Sequence, residues 1–210
     1  MLDLPDLFRS HSLPVRGVVH VGAHEGQELP VYRALGFPWI LLVEANPEVF
    51  ARLRSAVPPA ADVELACCAL CEREGTVELR VTSFDQSSSI LRLKRHLDVY
   101  PGIVETGVVE VPARTLDGLL GELGRAASAC NLLVLDVQGA ELLVLRGATA
   151  TLAACDAVVA EVSFEELYEG CALAADLDAF LGERGFERVA TSCYHHPSWG
   201  DAFYLRTRRP

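Results

Sequence analysis

The sequence has no uninterrupted apolar run of the roughly 18 residues that a membrane-spanning helix needs. The longest candidate, residues 142–160, is broken by Arg146, Gly147 and Asp156. Basic residues are not in excess: 18 Lys and Arg face 29 Asp and Glu, a net charge of −11. That balance argues against sequence-independent binding to nucleic acid phosphates or anionic membranes, which rests on basic patches. The opening MLDLPDLFRS carries acids and a proline where a secretory signal has basic residues and an apolar core. A cytoplasmic protein is the expectation. A second cysteine pair at zinc-site spacing is missing too. Cys68 and Cys71 form a C-x-x-C beside Cys67, but the count of seven is odd, and reduced thiols without a metal fit best. Repeats and low-complexity linkers are absent. The 210 residues, 50% of them hydrophobic, read as a domain over 17–210 behind a short N-terminal cap, 1–16.

What is present is organised around residues 18–46. A short apolar run, Val18–Val21, enters a turn made of Gly22, Ala23, His24, Glu25 and Gly26. A helix-like segment from Gln27 to Leu35 follows, stopped by Gly36 and Pro38. A second run, Ile40–Glu44, ends on an acid, with Ala45 and Asn46 beyond it. Glycine lets the backbone turn tightly, and a following helix presents unpaired N–H groups. An acid about 20 residues on is where a ribose diol is held in the dinucleotide fold. The glycine pattern is incomplete, since Ala23 and His24 interrupt a full G-x-G-x-x-G. A nucleoside-type ligand is expected, against a βαβ unit that serves structure alone.

Further along, Asn46 caps a helix that has Pro47 in its first position. A strand over 63–66 precedes a break in the βαβ rhythm. The segment 76–82 alternates as a half-buried strand, 83–89 is a polar loop, 90–100 reads as a short basic helix and 107–112 as another strand. Thr115 caps a helix over 116–123. Residues 132–136 form a buried strand ending on Asp136, and 139–146 a short helix. A strand over 157–162, an amphipathic helix over 172–184 and strands over 186–191 and 201–206 complete the chain. About nine residues, 192–200, join the last two strands. That is too short for a crossover helix, so the final strand runs antiparallel. The fold class is α/β, Rossmann-like: a mostly parallel seven-stranded sheet with an antiparallel last strand and an inserted β segment.

The series HVGAHEGQE, LLVEANP, ACCALCEREGTVEL, TLDGLL and LVLDVQGAELLVLRGA resembles the FkbM methyltransferases over roughly residues 17–165. The D-V-x-G-A-E-x-x-V-L-x-G-A pattern over residues 136–148 is its most specific part. The resemblance implies the class I methyltransferase fold, S-adenosylmethionine (SAM) as methyl donor, S-adenosylhomocysteine (SAH) as product, and a small-molecule or glycan acceptor bearing a hydroxyl. His20 departs from it, since many members have an acid there, and so does Gln138, where Glu is common.

Ligands of open α/β sheets lie over the carboxyl ends of the strands. Gly22, Ala23, His24, Glu25, Gly26 and Gln27 are therefore expected under the methionine part of the donor. Glu44, with Ala45 and Asn46, is expected at the ribose, because both carboxylate oxygens accept from a diol. Cys68 and Ala69 leave room for a flat ring. Asp136, with Val137 and Gln138, is also expected to contact the donor, Asp136 sitting where a carboxylate after an apolar strand calls for a partner or a function. Asp136, Glu161 and His195 are the candidates for removing the hydroxyl proton, and Ser88, Glu141 and His196 for holding the acceptor. Glu141 also reads as a helix-start acid. No metal site, nucleic acid partner or membrane contact is expected, and homo-oligomerisation is left open. The competing readings are an NAD-type oxidoreductase and a non-catalytic binding protein of the same fold.

Overall fold

Alternating burial shows how the central sheet forms. In the computed structural model, which describes residues 2–207, β1 (Val18–Val21) is buried at every position. Val19 and Val21 face one hydrophobic layer, and Val18 faces the other. A strand covered on both sides reads as a continuous apolar run, as does β7 (Leu132–Leu135). β1 pairs in parallel with β2 (Ile40–Glu44) and with β7. Outward from these lie β3 (Val63–Cys67), parallel to β2, and β8 (Ala157–Ser163), parallel to β7.

The other edge is closed by β9 (Phe186–Ser192) and β10 (Trp199–Arg206). β10 inserts between β8 and β9 and runs antiparallel to both, giving the order β3-β2-β1-β7-β8-β10-β9. The seven-stranded, mostly parallel sheet with an antiparallel last strand matches the sequence expectation. The linking turn is six residues, 193–198, because both strands run further than their alternation indicates.

Helices α1 (Leu4–Ser10), α2 (Leu29–Leu35) and α3 (Pro47–Ala56) share a layer on one face, where Phe8 packs edge-on against Phe37 at 5.5 Å. Helices α5 (Leu116–Glu122), α6 (Glu141–Arg146), α7 (Thr149–Ala154) and α8 (Ala174–Gly182) cover the other. The connections change face between β1 and β7, and a crevice opens there at the carboxyl ends of the strands. The interruption after β3 is a separate three-stranded sheet. In it β4 (Ala69–Leu70) pairs in parallel, and β5 (Gly75–Thr82) antiparallel, with the long β6 (Glu105–Arg114).

Three local expectations change. The basic helix over 90–100 shrinks to α4 (His96–Val99), because the preceding backbone bonds across the chain instead: Lys94 donates to the Leu167 carbonyl at 2.8 Å, and Glu169 donates to Arg92 at 2.8 Å. Helix α2 starts at Leu29 rather than Gln27, because residues 22–27 stay in the turn. Helix α7 has no sequence signal, since Ala148 precedes it without a capping side chain. Its cap arrives from α5: Asp117 accepts from the N–H of Ala150 (2.7 Å) and Thr151 (2.9 Å) and from the Thr151 hydroxyl (2.6 Å).

Candidate active site

The crevice deepens into a cavity of about 1180 Å³, walled by the ends of β1, β2, β7 and β8, the 84–90 segment of the insertion and the start of β10. Gly22 sets its floor. At φ +80° this residue is in the left-handed region, and a Cβ there would lie 1.8 Å from the Asp136 carbonyl oxygen. Only glycine lets the ends of β1 and β7 approach so closely. The Gly22 and Ala23 N–H groups both donate to Val43, at 2.9 and 3.0 Å, tying the turn to β2.

Glu44 stands at the tip of β2, half-buried and facing the cavity. Its carboxylate accepts from the N–H of His24 (3.0 Å) and of Asn46 (2.7 Å). Burial nonetheless raises its pKa above the ordinary value. A carboxylate has about four acceptor positions, so two remain for a ligand. Ala45, Cys68 and Ala69 line the adjacent wall.

At the other end, Gln138 is held in a left-handed conformation at φ +54°. The Ser89 hydroxyl donates to its carbonyl at 2.8 Å, and the Tyr168 hydroxyl donates to its Oε1 at 2.7 Å. Nε2 is thereby aimed at two acids, donating to Asp136 Oδ1 (2.7 Å) and Glu161 Oε2 (3.0 Å). Asp136 is open to the cavity, yet protein surrounds it. Burial, with nearby carboxylates adding to it, pushes its pKa up to about 6. Glu161, nine-tenths buried, is raised well above the usual carboxylate range, first by burial and then by Asp136. His195 also lines the cavity, its ring stacked on Trp199 at 5.5 Å.

Gly22, Ala23, His24, Gln27, Val137 and Ser88 join these as lining residues. His24 is already engaged: its Nε2 lies 3.1 Å from Asp85 Oδ1, and Gln27 Nε2 donates to its Nδ1 at 2.9 Å. Arg52 binds both Asp85 and Glu25. Five expected residues lie outside the lining. Glu25 turns outward to Arg52. Gly26 faces Leu53 and Leu42 in the core. Asn46 caps α3 by accepting from Glu48. Glu141 is buried and accepts from the N–H of Val137 (3.1 Å) and Gly139 (3.2 Å), holding the turn before α6. His196 accepts from the Ser198 N–H at 3.2 Å.

The sequence reading missed Glu28, Tyr32, Tyr100, Tyr168 and Asp201, all of which line the cavity. His20 lines it as well, buried and accepting from or donating to the Tyr32 hydroxyl at 3.0 Å; burial lowers its pKa to about 4, so it is neutral. An alternating pattern would have placed Asp201 on the cavity face, since it pairs with Glu161 across β8 and β10. Glu28 and Tyr32 lie four residues apart, one turn of a helix. Tyr100 and Tyr168 come from loops and carry no such signal.

The described residues hold no group of three or more His, Cys, Asp or Glu able to bind a metal, and no helix long and apolar enough to cross a membrane. The chain is matched over residues 20–188 by the family model for the methyltransferase FkbM domain. It is 29% identical over 161 residues to the 2-O-methyltransferase NoeI of Sinorhizobium fredii, covering 73% of this chain and 65% of that protein, so it spans somewhat under two thirds of that relative's length. Magnesium protoporphyrin IX methyltransferase from Synechocystis PCC 6803, solved with bound SAM, superposes with a TM-score of 0.51 at 10% identity, over 97% of this chain and 76% of that one. TrmK of M. capricolum, solved with SAH, gives 0.50 at 7% identity, over 100% of this chain and 70% of that one. At these identities the likeness concerns the fold: the class I methyltransferase sheet.

Proposed function

The chain belongs to the FkbM methyltransferase family, and from that premise we propose that it transfers a methyl group from SAM to a hydroxyl oxygen of a small-molecule or glycan acceptor. The residues present fit the donor. Glu44 keeps two acceptor positions turned to the cavity for a ribose diol, and Cys68 and Ala69 leave a flat slot beside it. Bare backbone at Gly22 lets a ligand lie against the turn. NoeI, by its name, methylates a 2-hydroxyl, and oxygen is the acceptor atom proposed here by analogy. The acidic cavity and the net charge of −11 favour a free or glycan acceptor over nucleic acid.

SAM supplies a methyl group already activated on a sulfonium, so the work left to the protein is alignment and proton removal. The observation that carries the reading is the Asp136–Gln138–Glu161 set at the cavity floor. Gln138 holds one oxygen of Asp136, and the second is available to an acceptor hydroxyl. A carboxylate with a pKa of about 6 is ionised at neutral pH yet basic enough to take a proton as the new bond forms. Glu161, whose carboxyl pKa burial and then Asp136 raise, orients the acceptor. His195, stacked on Trp199 at the start of β10, is the second group able to relay that proton.

Asp136→Asn tests the assignment. The expected result is a fall in kcat of about 10²–10⁴, with SAH affinity by calorimetry changed less than about threefold. Turnover near wild type would remove Asp136 from the chemistry. The competing oxidoreductase reading predicts NAD binding in the same calorimetric experiment.

A further inference from the structure

The cavity has an unbalanced charge. Asp3, Glu28, Glu44, Asp85, Asp136, Glu161 and Asp201 line it, and among the described residues no lysine or arginine does. Asp85 has Arg52 and His24 as partners, and Glu44 is met by backbone N–H groups. Glu28, Asp136, Glu161 and Asp201 make no ion pair with lysine or arginine among the described residues. The nearest imidazole to Glu28, His20 at 3.8 Å, is neutral. Burial raises all four carboxyl groups, and mutual repulsion raises Asp136 and Glu161 further. The protein therefore keeps like charges together where a cation would relieve them.

Two further features point the same way. Tyr100, Tyr168 and Trp199 face the cavity beside this group, and aromatic faces attract cations independently of carboxylates. His96, 3% exposed, also lines the cavity, yet its Nδ1 has no hydrogen-bond partner. Its ring sits 5.2 Å from that of Tyr100 and 5.4 Å from that of Tyr168. An imidazole left unsatisfied there calls for a polar ligand. The donor brings one sulfonium and one ammonium. With its own carboxylate counted, that is a net single positive charge, against four carboxyl groups that have no lysine or arginine partner among the described residues.

We propose that the acceptor is an amine-bearing hydroxyl compound, its ammonium docking against Glu161 and Asp201 within the aromatic wall while its hydroxyl meets Asp136. The proposal rests on the methyl-transfer reading for the identity of the hydroxyl as the reacting group. Its charge preference stands on the cavity alone. Phosphorylated or carboxylated acceptors meet repulsion with no lysine or arginine among the described lining residues to offset it.

Three ring compounds of matched size test it: aminocyclohexanol, cyclohexanediol and hydroxycyclohexanecarboxylate, titrated into the SAH-loaded protein and into the protein alone. Trp199 fluorescence and calorimetry in buffers of differing ionisation enthalpy read the binding. The expected result is that the amine binds about tenfold or more tightly than the diol and that the carboxylate does not bind. Asp201→Asn and Glu161→Gln should each erase most of the preference, and added salt should weaken it in the unmutated protein. Equal binding of amine and diol, preference for the carboxylate, or no binding of the amine would overturn the proposal. Failure of SAH to bind, with the amine preference intact, would instead overturn the methyl-transfer reading.

Discussion

The two ends of the cavity are built in opposite ways. The proposed donor end is mostly one continuous stretch of chain, Gly22 to Glu44, running turn, helix, strand, acid, with Cys68 and Ala69 beside it. The proposed acceptor end gathers Asp136, Gln138, Glu161 and His195 from the ends of β7, β8 and β9, Tyr168 from the loop after β8, and Ser89 and Tyr100 from the insertion. In the proposed reading the first offers the donor the bare backbone at Gly22 and Ala23 and one carboxylate, Glu44, while its larger side chains, His24, Gln27, Glu28 and Tyr32, line the wall beside them. The second binds with side chains that hold one another: Ser89 and Tyr168 fix Gln138, and Gln138 fixes two acids. A common donor suits an end built from backbone, which tolerates little change. A particular acceptor suits an end built from side chains, which can be exchanged one at a time.

The largest expected break is at the donor end. Gly22→Ala places a Cβ 1.8 Å from the Asp136 carbonyl oxygen and holds alanine at φ +80°. Loss of about 2 kcal/mol or more in chemical denaturation is expected, with SAH binding abolished and the β1–β7 junction disturbed. A stable variant with unchanged SAH affinity would mean that the junction yields elsewhere. Glu44→Gln comes next. It keeps the size but replaces one acceptor oxygen by a donor, and about a tenfold to hundredfold weaker SAH affinity is expected. The acceptor KM should move little; a parallel rise would show that the two ends are coupled.

The smallest effect sharpens the acceptor end. Gln138→Glu removes the amide that favours ionised Asp136 and adds a further negative charge beside it. Both changes favour the protonated acid. The acid limb of the rate profile, expected near the Asp136 pKa of about 6, should therefore move to higher pH by about one unit. SAH affinity should stay the same. An unmoved limb would shift the base role to His195.

The strand, turn and acid between Val18 and Glu44 were legible because their information is local. A run of valines, two glycines and an acid at fixed spacing describe one βαβ unit wherever it occurs. The same locality misled at Glu25, Gly26 and Asn46: spacing places them beside the ligand, but Arg52, the Leu53 and Leu42 side chains, and the end of α3 claim them. Glu141 followed the same rule, spent on the N–H groups of its own turn. Helix α7 was invisible for the converse reason, its cap being Asp117 from another helix.

By itself the sequence determined the α/β alternation, the antiparallel final strand, the glycine turn and the two acids that end β2 and β7. Each follows from periodicity, turn chemistry or loop length, which act between neighbours in the chain. Only the tertiary structure decided that Glu28 and Asp201 join Asp136 and Glu161 in one cavity, with no arginine or lysine among the described residues lining it, and that Tyr168 and Ser89 aim Gln138 at two carboxylates. Charge balance and hydrogen-bond direction depend on which distant segments meet. The inserted sheet and the β9–β10 hairpin set that meeting, and no spacing along the chain encodes it.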